Sequence, residues 1–211
     1  TVSVGIKREL DVLDVTSMGS VAERIIAGIR KDSFEWTGYF DDDNSFDAFK
    51  ASNIGSGTLP VTVFLGTTTA NIAYGASMRL NMESVSMTGK GVVMANGSLQ
   101  PTGTLDRGYV MLVRTTATAS SNSGRIDGGS AVTGTSFWYL HVFSYSGGGS
   151  AVVNLQDSAD DLSYANVAGG TQAVSGATAY RIDITGTVRQ YYRMIWEGTG
   201  TKSIASMLAR N

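Results

Sequence analysis

The chain has 211 residues, enough to bury the core of one or two domains. Its 26 glycines and 2 prolines, with frequent Ser, Thr, Val and Tyr, are typical of many short strands joined by glycine turns. A net charge of -2 with scattered basic residues argues against a phosphate-binding basic patch, and the absence of cysteine excludes disulfides and thiolate chemistry. No apolar run reaches the roughly 18 residues of a membrane span, so we expect no membrane partner.

Alternating apolar residues predict a first strand, or two short ones, from Val2 to Val15. The alternation stops between Thr16 and Lys31. Apolar residues there fall at helical spacing, but Gly19 and Gly28 bracket them, and glycine costs about 1 kcal/mol inside a helix. We therefore predict an extended loop with at most one helical turn.

Alternation resumes over Ser33 to Phe40 and predicts a strand, which an acidic cluster follows. Capping side chains and first-turn carboxylates favour a helix start, and Phe46 and Phe49 fall on one face of that helix. The sequence predicts a helix over Asn44 to Ser52, anchored to a sheet by these two rings.

The rest of the chain predicts strands only. They cover Leu59 to Leu65, Ala76 to Thr88, Gly91 to Leu99, Arg107 to Arg114, Ser136 to Tyr145, Ala151 to Gln156, Ala179 to Thr185, Gln190 to Glu197 and Ser203 to Ala209. Asn96-Gly97 predicts a hairpin turn, as does Gly198-Thr199-Gly200. The Ser/Thr/Gly-rich stretch from Thr115 to Gly134 predicts a linker, so we expect domains at 1–125 and 126–211, the second an antiparallel β-sandwich.

Few residues offer chemistry. His141 is the only histidine, and with no cysteine this nearly excludes zinc and iron sites, so we predict no metal and no cofactor. His141 shares a strand face with aromatic residues, which packing explains best. The alternative is a glycan-binding face of Tyr139, His141 and Tyr145, with Trp138 beside them.

Acidic residues form two local clusters. Asp41, Asp43 and Ser45 imitate the start of a calcium loop but lack its later glycine and glutamate, so helix capping is favoured. Asp157, Asp160 and Asp161 are interpreted as turn acids, with a weak calcium site as the alternative. No nucleophile motif and no carboxylate pair for acid and base catalysis stands out, so no enzyme is predicted.

Two stretches resemble the tail tube subunits of long-tailed bacteriophages. The first runs from a strand ending in Asp-x-Thr-Ser-x-Gly, through a loop, into a Gly-Ile-x-x-Asp-x-Phe strand. Its matching residues are Asp14, Thr16, Gly19, Gly28, Asp32, Phe34, Gly38 and Asp41. The second is a Gly-x-Leu-x-Arg-Gly motif at the end of the segment from Val85 to Gly108. Its residues are Gly103, Leu105, Arg107 and Gly108.

This resemblance implies an all-β structural protein of the virion tail, assembled in the host cytoplasm. It implies a β-sandwich or barrel with one flanking helix, rings of six copies stacked into a tube with other tail proteins, and a lumen through which DNA passes without specific binding. We expect the stacking contact between rings in the loop, at Met18, Val21, Ile25, Ile26 and Ile29. The rival functions are a carbohydrate-binding or adhesive module of the tail and, more remotely, a hydrolase.

Overall fold

The computed structural model describes residues 3–14, 25–39, 57–87, 93–147 and 151–210. Every regular element in these ranges is a β-strand, and every recorded strand pairing is antiparallel, which confirms the predicted all-β class. The predicted helix with Phe46 and Phe49 lies outside the described residues. The strands are β1 (Ser3–Asp14), β2 (Ile25–Tyr39), β3 (Leu59–Phe64), β4 (Ile72–Met87), β5 (Val93–Pro101), β6 (Asp106–Ala117), β7 (Ser121–Asn122), β8 (Ile126–Asp127), β9 (Val132–Ser146), β10 (Ala151–Ser158), β11 (Ala165–Val174), β12 (Thr178–Val188), β13 (Tyr191–Glu197) and β14 (Thr201–Arg210).

The chain divides into two compact units. Unit 1 comprises Thr1–Leu59 and Met78–Gly103, and unit 2 comprises Pro60–Ser77 and Thr104–Asn211. The sheet of unit 1 has the strand order β1-β2-β5-β4, to which β4 contributes its second half.

Unit 2 is a sandwich of two antiparallel sheets. One has β6, β14, β9 and β12 side by side, with β3 and the first half of β4 beyond β6. The other has the order β11-β10-β13-β7, with β8 also paired to β13. A single apolar cluster, which includes Trp138, Leu155, Met194 and Leu208, draws its residues from both sheets. This core forms because successive side chains of a strand point to opposite faces of the sheet. Along β13, Tyr192, Met194 and Trp196 are buried, while the residues between them are half-exposed.

The predicted C-terminal sandwich is therefore present, but both of its sheets also contain strands from before residue 126, β6 in one and β7 in the other. Strand β6 pairs with β14 from Tyr109 to Ala117. The division into folding domains at 1–125 and 126–211 stays a prediction, for which truncation is the test.

Three local predictions are wrong. The predicted loop is a strand from Ile25 onward, because β2 already pairs with β1 there. Asn96-Gly97 is not a turn but lies inside β5, paired with β2 on one side and β4 on the other. The stretch from Thr115 to Gly134 is not a free linker, since β7 and β8 lie within it and both pair with β13. The turn over Gly198 to Gly200 is as predicted and joins β13 to β14.

Candidate assembly surface

Within the described residues, the sheet of unit 1 has two edges that no further strand of the unit covers. Strand β1 pairs only with β2, and the segment of β4 from Met78 to Met87 pairs with β5 on one side and with no other strand of this unit in the described residues. A strand edge presents N–H and C=O groups that can pair with another chain. Because the four strands alternate in direction, β1 and β4 run oppositely. A second copy placed edge to edge would continue the antiparallel pattern.

One face of this sheet is polar. Most residues that the register aligns on it are polar: Ser3, Lys7 and Glu9 of β1, Ser33, Glu35 and Thr37 of β2, Asn96, Ser98 and Gln100 of β5, and Arg79 and Ser84 of β4. None of these polar side chains is buried. Met82 of β4 is also aligned here, opposite Ser98. Charges of both signs occur here, and Lys7 Nζ lies 2.8 Å from Glu9 Oε1. Hydroxyl and amide groups with balanced charges are typical of a solvated face.

The opposite face is mainly apolar, although it also carries Arg8 and Asp32, which lie opposite each other with Arg8 Nε 3.9 Å from Asp32 Oδ1. Phe34, Leu80 and Leu99 lie in one cross-strand row and are buried, and Met78 is buried beside them. Within the same face Trp36 lies opposite Gly97, where a Cβ on Gly97 would come within 2.9 Å of Trp36 Cζ2. The indole therefore occupies the space that a side chain at residue 97 would need. This contact explains why glycine stands in the middle of β5, at a site that the sequence alone marks as a turn.

The apolar face continues to the free edge of β1. Ile6 lies opposite Phe34 and Val4 opposite Trp36. Burial decreases toward this edge: Phe34 is 2% exposed, Ile6 opposite it is half-buried, and Val4 in the next row is 46% exposed. A strand added beside β1 would cover Val4 and extend the apolar face.

The residues predicted to stack rings lie partly in β2. Ile25 pairs with Asp14 and Ile26 with Leu13, while Ile29 falls in the irregular stretch where the register shifts between Leu10 and Val12. Met18 and Val21 lie outside the described residues. The stacking role stays a prediction, now for a segment that includes the start of a strand.

The residues of the candidate glycan face lie in different environments of unit 2. Tyr139 is fully buried and its hydroxyl donates to Asp106 Oδ2 at 2.6 Å. Tyr145 is half-buried and donates to the carbonyl oxygen of Thr199. Trp138 lies in the sandwich core and its indole N–H donates to Ser206 Oγ. With Tyr139 inside the protein, this set does not form one exposed aromatic surface, and glycan binding stays a prediction.

His141 is half-buried, and its Nε2 lies 2.8 Å from Thr62 Oγ1 of β3. Burial lowers the pKa of His141 to about 4, because the charged ring would lose hydration that nothing replaces. Its ring stacks on that of Phe143, which is exposed and carries the Arg114 guanidinium 4.7 Å above its centre. The imidazole is thus held neutral at physiological pH.

A buried polar network that sequence analysis missed surrounds Tyr139. Arg181 donates from Nε to the Tyr139 hydroxyl at 3.1 Å, and its Nη2 lies 3.7 Å from Asp106 Oδ2. Thr104 donates to the other oxygen of Asp106 at 3.1 Å. Burial and the Asp106 carboxylate raise the pKa of Tyr139, so the hydroxyl keeps its proton. Asp106 and Arg181 are 33 and 42 positions from Tyr139 along the chain. A network between such distant residues gives no signal in a local stretch of sequence.

The clustered aspartates of unit 2 have separate structural roles. Asp160 Oδ1 accepts from the backbone N–H groups of Leu162 and Ser163 and from the Ser158 hydroxyl, and the backbone bonds lower the pKa of Asp160 to about 2. Asp161 lies 2.7 Å from Arg125 Nη1. The described residues contain no group of three or more His, Cys, Asp or Glu that could hold a metal ion. Asp160 and Asp161 thus fit the interpretation as turn acids, whereas that interpretation is wrong for Asp157, which is buried within β10 and accepts from the backbone N–H of Arg189.

A small pocket of about 320 Å³ lies in unit 1. It is lined by Glu35, Trp36, Thr37, Asn81, Asn96, Gly97 and Ser98. Glu35 is the single carboxylate in this lining, so the pocket offers no acid and base pair. Within the described residues there is also no helix long and apolar enough to cross a membrane.

Two solved structures are similar to the chain at low sequence identity. One is described as the virion of a native gene transfer agent particle, with 15% identity, a TM-score of 0.42, and coverage of 50% of this chain and 82% of that one. The other is the SPP1 Dit protein, described as a paradigm of the hub adsorption apparatus in phages that infect Gram-positive bacteria. It has 11% identity, a TM-score of 0.35, and coverage of 98% and 91%. No family model and no curated protein matches the sequence. At these scores neither structural likeness assigns a function.

Proposed function

We propose that the protein is a structural subunit of a phage tail tube, which forms rings of copies and has no catalytic role. The observation that carries the proposal is the sheet of unit 1, with its two free edges, one polar face and one apolar face that stays uncovered at Val4. The two sequence stretches that resemble tail tube subunits support this proposal. Their residues Asp32, Phe34 and Gly38 lie in β2, and Asp14 ends β1.

The edges of unit 1 suit head-to-tail assembly. The edge of β1 and the edge of β4 are different surfaces, so contact between them is heterologous and forms a closed ring when its rotation permits. Four strands of alternating direction contribute an even number of strands per copy, and the joined sheet stays antiparallel across every junction. Closure also removes the exposed edges that otherwise favour aggregation.

The two faces of the sheet give the ring an inside and an outside. We assign the polar face to the lumen, because its balanced charges and hydroxyl and amide groups offer DNA no dense row of cations to neutralise phosphates. The apolar face then points away from the lumen; Phe34 and Leu99 on it are already buried within the chain, and the neighbouring copy covers the exposed part at Val4. The resemblance to tail tube subunits implies that each ring contains six copies and that rings stack through residues 16–31. It also implies that the rings form part of the virion tail together with other tail proteins.

A matched pair of edge variants tests the ring contact. Val4→Lys puts a charge where a neighbouring strand would cover the apolar face, whereas Ser3→Lys puts the same side chain one residue away on the polar face. We expect Val4→Lys to abolish rings in negative-stain micrographs and Ser3→Lys to keep them. Both subunits should retain their far-UV circular dichroism, because each position is already exposed. Rings in both variants, or in neither while the parent assembles, would count against the edge contact.

Stacking has its own test. Ile25→Asp combined with Ile29→Asp should leave single rings but prevent tubes, since an interface core tolerates an unpaired charge poorly. Tubes of normal length from this variant would remove these residues from the stacking contact.

A further inference from the structure

Strand β12 is an edge strand of unit 2. It pairs with β9 over its whole length, from Thr178 to Val188, without a register shift, and no described strand pairs with its other side. Proteins commonly protect such edges with proline, with charged side chains such as lysine, or with a bulge. The two charged residues of β12, Arg181 and Asp183, have opposite signs and pair with each other. The sequence of β12, TAYRIDITGTV, contains neither proline nor lysine, and its pairing with β9 is regular.

The charged residues of β12 are arranged symmetrically about Ile182. Arg181 precedes it and Asp183 follows it, and within one chain Arg181 Nη1 lies 2.7 Å from Asp183 Oδ1. Asp183 is 56% exposed, so its carboxylate remains accessible to a second partner. Arg181 is held in place by the Tyr139 hydroxyl and by the face of the Phe137 ring, 3.9 Å from its centre.

We propose that β12 pairs antiparallel with β12 of a second copy, with Ile182 opposite Ile182. This register places Arg181 of each copy opposite Asp183 of the other, and Tyr180 opposite Ile184. Opposite charges and aromatic with β-branched side chains are the cross-strand pairs that stabilise antiparallel sheets. A register centred on Asp183 would instead place the two aspartates against each other. The charge pattern of the strand therefore selects both the partner, a second copy, and the register.

This contact goes beyond the proposed ring. It is isologous, so it closes after two copies and produces a dimer, whereas the edges of unit 1 make a heterologous contact. It also uses a different strand, so either contact can fail without the other. Its tests are therefore made in the full-length Val4→Lys chain, in which the ring contact is blocked.

The cysteine-free sequence allows the register to be read by cross-linking. In the proposed pairing residue 179 lies opposite residue 185, with Cα atoms about 4.5 to 5.5 Å apart, which suits a disulfide. Mixing Ala179→Cys chains with Thr185→Cys chains under mild oxidation should give a cross-linked dimer that neither variant gives alone. In the control mixture of Ala179→Cys with Thr187→Cys, the two cysteines are offset by two residues across the strands. Their Cα atoms are about 7 to 8 Å apart, so this mixture should give little cross-linked dimer.

Sedimentation of the same Val4→Lys background provides the second readout. We expect a monomer–dimer equilibrium that Asp183→Arg weakens about tenfold, because like charges then face each other across the contact. Circular dichroism should match the parent, since Asp183 is exposed. The proposal would be overturned by equal cross-linking in the two mixtures or by no cross-link in the first. It would also be overturned if the Val4→Lys chain were strictly monomeric, or if Asp183→Arg left its dimers unaffected.

Discussion

Acid should destabilise unit 2 through His141, the only histidine of the chain. Burial lowers the pKa of His141 from its ordinary 6.5 to about 4. Between these pH values the unfolded chain binds the proton and the folded chain does not. The contribution to stability is therefore complete above pH 6.5 and is lost as the pH falls from 6.5 toward 4.

The size of the effect follows from the shift. One pKa unit corresponds to about 1.36 kcal/mol, and pH 5 lies about 1.5 units below the unfolded pKa. Moving from pH 7 to pH 5 should thus lower the free energy of unfolding by about 2 kcal/mol through this one group. The carboxylates titrate over an overlapping range, so the comparison needs a variant in which only the imidazole is missing.

His141→Gln supplies that comparison, because its amide can still bond to Thr62 but does not titrate. Urea melts followed by tryptophan fluorescence at pH 7 and pH 5 measure both chains. The parent should lose about 2 kcal/mol more than the variant between these pH values. Equal losses would show that the imidazole is solvated in the folded protein and that the reasoning from its burial is wrong.

Three further substitutions or truncations test the packing of unit 2. Tyr139→Phe removes the hydroxyl that donates to buried Asp106 and should cost about 1 to 3 kcal/mol in a chemical melt; an unchanged midpoint would refute the role of the network. Gly108→Ala should lower the free energy of unfolding by about 1 to 3 kcal/mol or more, because the new Cβ would lie 2.7 Å from Ala209 Cα. Gly103→Ala is the near-neutral control, since a Cβ there would have no atom within 4 Å. A chain ending at Asn122 removes β14 from beside β6 and exposes Val110 and Met111, so it should be insoluble; a soluble, ring-forming fragment would instead support a domain boundary near residue 125.

The sequence allowed the strands to be predicted where one face is buried. Alternation marked β9 and β13 to within a few residues, because their inward side chains form the sandwich core. Strand β11 was missed, since its sequence ANVAGGTQAV buries only every third or fourth residue and includes two adjacent glycines.

The wrong predictions have physical causes. A spacing of four residues, as between Val21, Ile25 and Ile29, fits a helix but is also a multiple of two, so it fits a strand equally well. Asn96-Gly97 is a turn signal in general, yet the Trp36 indole lying across Gly97 makes glycine a packing requirement within β5. Long-range contacts of this kind leave no trace in a local window.

The candidate surfaces were less accessible to sequence analysis than the strands. Alternation identified Val4 and Ile182 as strand residues, but whether a strand lies at an edge depends on pairing between distant segments. The burial of Tyr139 likewise depends on Ala73, Val110 and Met207, which come from three other strands. The proposed function likewise came from the resemblance of short sequence motifs to tail tube subunits, because the pairing pattern alone does not indicate it.

Electron microscopy of the purified 211-residue chain, with and without the Val4→Lys substitution, tests directly whether copies form rings through the edge of β1. We expect closed rings of uniform diameter, or tubes built from them, for the parent at increasing concentration, and separate folded subunits for Val4→Lys. Particles that remain single subunits in the parent at every concentration, even with other tail proteins supplied, would contradict it.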